Sequence, residues 1–303
     1  MRVRLCFEVE SSASLTGLEE PILIEAPGVT GAWCLKQVVA PSQLSGQRLD
    51  LRSPCVDSKE TALLLGRRAQ AALMAVALRR GLGAILSERL PRGRLFDVGR
   101  RLLAGDRFDE LLDDNLGLTV YEDAGRVGFV GIPPVQFQVA SPAARVLSEW
   151  SDALAGAVPA SEPVSVSFDL WSSSRSESSS RARLLLLVMA IEALVQQQAR
   201  SSSEVALVEE FLTQVRTSSL HKDSKDRLCS GLSLLRREGI GTSCHAAVAK
   251  RLGGDAGKTF RTCYRLRNVI AHGGQAPDVH TLVNEANQLE PIVKTFLLDR
   301  LAA

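Results

Sequence analysis

The sequence predicts an α+β N-terminal domain, residues 1–160, followed by an all-α helical bundle, residues 161–303. Two patterns and a break between them point to this. Short segments of period-two alternation, bounded by Gly, Pro and Ser, occupy the first half. Long stretches of helical period with short joins occupy the second. Between them the run GAVPASEP reads as a boundary loop. A length of 303 residues suits two domains at about 100–200 residues each.

The elements follow in order. Residues 2–9 alternate, with Val3, Leu5 and Phe7 on one face, as a half-buried strand does. Residues 21–25, 33–39 and 47–51 are further short strands. Residues 61–80 read as a helix: Ser58 is a suitable N-cap, and Gly81 and Gly83 are suitable stops. Its apolar face carries Ala62, Leu65, Ala69, Leu73 and Val76, with Arg67, Arg68 and Arg79 elsewhere. Residues 118–121 and 127–130, joined by EDAGR, are expected to form a hairpin. Residues 141–154 are expected to be helical.

VSVSFDLW reads as a strand or a short helix, and the serine-rich SSSRSESSS as a polar connector or a helix-capping segment. Residues 180–198 form the strongest helical pattern. They are apolar on most sides apart from Glu192, which predicts a central place in a bundle and a buried partner for that carboxylate. Further helices are expected over 204–217, 224–237, 242–251, 258–271 and 278–301, and their short joins imply antiparallel packing.

Composition excludes some classes. With 45% hydrophobic and 23% charged residues the chain is neither collagen-like nor wholly disordered. The net charge of +2 advertises no global basic field, but it is unevenly spread: residues 181–303 hold 17 basic and 12 acidic side chains. The C-terminal half is therefore the better place to hold an anion. The longest apolar run, 184–191, is far short of the ~20 residues of a membrane span. MRVRLCFEVE has no apolar signal region, so a cytoplasmic protein is expected. The six cysteines are scattered, as for reduced thiols; a zinc site from Cys244, His245, Cys263 and His280 lacks ligand spacing. No metal or cofactor is expected.

The most informative segment is FRTCYRLRNVIAHGG, residues 260–274, at the end of a predicted helix with Gly273–Gly274 as its stop. Together with RARLLLLVMAIEALV upstream, it resembles the HEPN superfamily, and in particular its Apea-like domains, over about half the chain. The signature of that family is an Arg, a polar neighbour and a His a few residues on, here Arg267, Asn268 and His272. The resemblance implies a HEPN-like helical bundle acting as a metal-independent endoribonuclease, of the toxin or phage-defence kind. It implies an active site formed where two such domains pair, and so a homodimer. RNA, and an antitoxin or other regulatory protein, are the implied partners. The N-terminal domain would sense or regulate.

The residue types suit such chemistry. Histidine exchanges a proton near neutral pH, arginine braces phosphate oxygens bidentately, and an amide orients one or the other. Lys258, Arg261 and Arg265 are candidate substrate-binding residues. At about 100° per residue, Arg267 and His272 are about 140° apart, whereas Arg265 is about 20° from His272. Lys258, Arg261, Arg265, Asn268 and His272 thus share one polar stripe, and Arg265 rivals Arg267 for the phosphate; the family motif favours Arg267. Phe260, Tyr264 and Ala271 form an apolar strip expected to make the dimer contact. Plainer roles stand beside these: His272 as a helix C-cap, Arg261 and Arg265 as a solvated face, and His221, His245 and His280 as surface residues. A non-catalytic HEPN module that dimerises and binds RNA or a nucleotide is the alternative function, and a plain helical interaction domain is a third.

Overall fold

The computed structural model describes residues 1–9, 14–16, 18, 20–26, 29–38, 47–86, 110–113, 117–122, 127–130, 140–177, 179–272 and 277–302. Strands β1 (Arg2–Val9), β3 (Ile22–Glu25), β4 (Ala32–Gln37), β5 (Gln47–Arg52), β6 (Ala84–Ile85) and β8 (Gly117–Tyr121) build one antiparallel sheet in the order β3-β4-β5-β1-β6. β8 pairs along the rest of β1. The short strands β2 (Ser14–Thr16) and β10 (Ala140–Pro142) pair in parallel, as do β7 (Glu110–Asp113) and β9 (Val127–Val130). The expected hairpin is therefore overturned. Among the described residues β8 pairs with β1 and β9 with β7, not with each other. Both segments are strands, but β1 offers β8 a longer partner than a two-stranded hairpin would, and pairing of this kind is decided by tertiary contacts.

The alternation in β1 holds. Val3, Leu5 and Phe7 are buried in the core with Leu49 and Leu51 of β5 and Trp33 and Leu35 of β4. The opposite face carries Arg4 paired with Asp50, both almost completely buried, and Arg52 at 3.0 Å from the same carboxylate. Crowding by burial and by Arg52 lowers the pKa of Lys36 from its ordinary value.

Helix α1 (Lys59–Arg80) crosses the core face of the sheet, capped by Ser58, whose hydroxyl accepts from Thr61 N, and ended by Gly81 at φ 64°. Gly66 permits the approach: a Cβ there would lie 2.4 Å from Leu118 and 2.9 Å from Val3. By length and composition α1 could cross a membrane, but 61% of its apolar window is buried inside the fold. On it packs α2 (Ala143–Gly156). Trp150 there meets Trp33 edge-on at 5.2 Å and donates to Ala69 O at 3.1 Å. Arg68 donates to the carbonyls of Leu154 and Ala157 and so caps the end of α2.

Among the described residues seven further helices follow: α3 (Glu162–Ser176), α4 (Ser180–Leu194), α5 (Ser202–Thr217), α6 (Lys222–Leu234), α7 (Ile240–Leu252), α8 (Gly254–Ala271) and α9 (Val279–Leu301). VSVSFDLW is thus helical, with Pro163 in the first turn of α3 and Phe168 and Trp171 buried. The serine-rich run ends α3 and supplies the cap of α4, where the Ser179 hydroxyl accepts from Ala182 N. α4 stops at Leu194, shorter than expected, because Val195 turns extended. It is central: α3, α7, α8 and α9 all pack on it. The α5–α6 pair stands apart, since α6 has no buried residue and α5 buries only Val208 and Leu212. One buried cluster runs unbroken from the sheet into the helices. Ser172 donates to Ala84 O and Lys294 to Arg79 O, tying the two halves together.

Candidate functional site

Helix α8 carries Lys258, Arg261, Arg265, Arg267 and Asn268, with His272 at its C-terminal cap. It begins at Gly254, after Gly253 at φ 95°, and ends at Ala271 with His272 as its C-cap at φ −100° and ψ 15°. The stop expected at Gly273–Gly274 lies outside the described residues. His272 is exposed, and its backbone N–H donates to Asn268 O at 3.0 Å. The capping position expected of it on plain structural grounds is therefore real, and its ring remains in solvent. Among the described residues its side chain makes no hydrogen bond or ion pair.

Arg267 faces α4. Its Nη2 lies 3.4 Å from Glu192 Oε2, its Nη1 donates to Asn268 Oδ1 at 3.2 Å, and its guanidinium sits 5.7 Å from the centre of the Tyr264 ring. This supplies the partner expected for Glu192. Burial raises the pKa of Glu192 above the ordinary carboxylate range, while Arg267 pulls it back only in part. One of its oxygens, Oε1, is buried with no hydrogen-bond partner among the described residues. Arg267 and Asn268 are thus brought together, whereas His272 is not brought to Arg267, in keeping with their angular separation on the helix.

The remaining cations divide cleanly. Lys258 pairs with Asp255 at 2.9 Å on the exposed surface. Arg261 and Arg265, one turn apart, have no acidic partner among the described residues, and both are exposed. They line a cleft of about 360 Å³ between α7 and α8, together with Gly239–Thr242, His245 and Tyr264. Arg261 Nη2 is 3.2 Å from His245 Nδ1. Burial, and secondarily the charge of Arg261, lower the pKa of His245, so the neutral ring can accept at Nδ1 from the guanidinium. His245 is thereby half-buried and partnered, not the isolated surface residue its sequence neighbours suggest. It was missed because its partner is sixteen residues on and belongs to another helix. His221 and His280 are exposed, as expected.

One other expectation changes. Phe260 is completely buried, tilted against Tyr264 at 5.8 Å, and cannot serve in a dimer contact; its ring belongs to the core. Cys244 and Cys263 are buried among the core side chains, as scattered reduced thiols are expected to be, and burial pushes both thiols up to about 12. No disulfide joins the six cysteines. No protein-family model matches this chain, and no curated protein or solved structure matches it either.

Proposed function

We propose that the C-terminal helices form a HEPN-type module that cleaves RNA without a metal, with His272 as the proton-transfer group and Arg267 and Asn268 beside it. The observation that carries this reading is the motif Arg267-Asn268-x-x-x-His272 on the last turns of α8, with its histidine in solvent. In the reaction the 2′-hydroxyl loses its proton and attacks the adjacent phosphorus. The bond to the 5′-oxygen breaks, and that oxygen takes up a proton. The products are a 2′,3′-cyclic phosphate and a 5′-hydroxyl. His272 supplies one of the two proton transfers. One chain holds one His272, so a second copy provides the other, which makes the active species a homodimer with the two α8 ends near a twofold axis. The N-terminal domain regulates this module, and a toxin or antiviral role follows from the same reading.

The pairing of Arg267 with Glu192 favours a second reading, because a guanidinium held by a carboxylate is less available to a phosphate. In that case the bundle binds RNA or a nucleotide without cleaving it. Incubation of the purified protein with RNA in EDTA separates the two. Cleavage that persists with chelator and falls roughly 10²–10⁴-fold in His272→Ala supports the ribonuclease. Binding without any cleavage supports the module, and full activity in His272→Ala refutes the mechanism.

A further inference from the structure

Four basic side chains project from α8, and the structure sorts them by what they touch. Lys258 is spent on Asp255 and Arg267 on Glu192. Arg261 and Arg265 are the two without a carboxylate among the described residues, and they are also the two that line the cleft between α7 and α8. A solvated basic face needs no concavity. Here Arg261 and Arg265 stand on one wall, and His245 with the first turn of α7 forms the other.

The walls are fixed. Gly241 lies so close to Tyr264 that a Cβ would be 2.3 Å from its ring. Gly257 similarly leaves room for His245, whose Nε2 is 3.3 Å from where a Cβ would sit. The contact of Arg261 with His245 spans the two walls of the cleft at 3.2 Å. α7 starts here at Ile240 with no side-chain cap, so its positive end adds to the same field. Two guanidinium forks four residues apart, beside an imidazole that can donate or accept, suit the oxygens of a phosphate. A volume of about 360 Å³ is at the small end of ligand clefts.

We propose that this cleft is a phosphate-binding subsite, taking the phosphate of a nucleotide or one phosphodiester of a strand laid along α8. Arg261 and Arg265 hold the oxygens, and His245 positions Arg261. Arg265 precedes His272 by seven residues, about 10 Å along the axis and on nearly the same face. A strand anchored in the cleft and laid along α8 therefore passes His272 about 10 Å further on. This deepens the ribonuclease reading, and the identity of the strand as RNA rests on it; the phosphate site itself does not.

The test uses the full-length protein with labelled histidines, whose four ring resonances are followed by NMR at constant ionic strength set with chloride. The probes are inorganic phosphate, uridine 3′-monophosphate and a 2′-deoxy hexanucleotide, which cannot be cleaved by 2′-hydroxyl attack. The His245 resonance is expected to move with each, and Arg261→Gln together with Arg265→Gln to weaken binding at least 10-fold. His221→Ala, an exposed histidine outside the cleft, should leave phosphate binding unchanged. Equal affinity for phosphate and hexanucleotide marks a site for a single phosphate, and at least 10-fold tighter binding of the hexanucleotide marks a strand. A His245 resonance unmoved by all three probes overturns the proposal, as does parent-like binding in the double variant. A responsive cleft in a protein that never cleaves RNA would refute the ribonuclease alone. A silent cleft in a cleaving protein would refute the subsite alone.

Discussion

Replacing Arg267 with Ala removes three contacts at once, and their sum depends on pH. The contact with the Tyr264 ring is worth about 0.5–1 kcal/mol at a partly exposed site. The hydrogen bond to Asn268 adds about 1 kcal/mol at most. The pair with Glu192 lies between the surface case, about 0–1 kcal/mol, and the buried case, about 3–5, because the two side chains are 27% and 15% exposed. About 1–2 kcal/mol is the corresponding figure.

That last part titrates. Burial already raises the pKa of Glu192, and Arg267 opposes it. Without Arg267 the folded-state value climbs further above the unfolded one of ~4.3. A carboxyl raised in this way contributes its stability below the unfolded value and loses it as pH rises through the folded value. Arg267→Ala should thus cost about 1 kcal/mol at pH 4 and about 2–3 at pH 8. Urea unfolding of Arg267→Ala, Glu192→Gln and the double variant at both pH values measures this, with a coupling of about 1–2 kcal/mol expected at pH 8. Equal losses at the two pH values, or additivity within ~0.5 kcal/mol, would refute the pairing. The result bears on function as well, since any activity lost in Arg267→Ala must be corrected for lost stability.

Gly241→Ala should destabilise by about 1–3 kcal/mol, since its Cβ would meet the Tyr264 ring at 2.3 Å, and should disturb the His245 resonance; thermal unfolding and NMR check both. Asp50→Ala removes the buried carboxylate that Arg4 and Arg52 share and should cost about 3–5 kcal/mol in urea unfolding, which an unchanged midpoint would contradict. Phe260→Ala should lower stability by about 3–5 kcal/mol without altering the proposed dimer, because the ring faces the core; light scattering that showed a parent dimer lost in the fully folded variant would contradict this. A parent protein that stays monomeric at micromolar concentration would remove the two-copy site.

Local chemistry was legible where one residue type decides it. Ser58 and Gly81 bound α1 as capping preferences require, and the alternation of Val3, Leu5 and Phe7 assigns β1 to the core. Glu192 stood out as the charge in an apolar helix, and that oddity is explained by Arg267. Partner choice was not legible. Nothing local in residues 118–121 says that β8 belongs with β1, and period alone could not separate strand from helix in VSVSFDLW. Phe260 and Tyr264 share a stripe on the helical wheel, yet one is completely buried and the other is not, because α8 is covered unevenly by α4, α7 and α9. His245 shows the same limit at the site: its meaning comes from an arginine on the next helix.

The central claim is attack by a 2′-hydroxyl, and product ends report it directly. RNA incubated with the full-length protein in EDTA should yield fragments ending in 2′,3′-cyclic phosphate and beginning with 5′-hydroxyl. A matched strand with a single 2′-deoxy sugar at the scissile position should stay intact there. Fragments carrying 5′-phosphate, or cleavage at the deoxy position, would contradict the account.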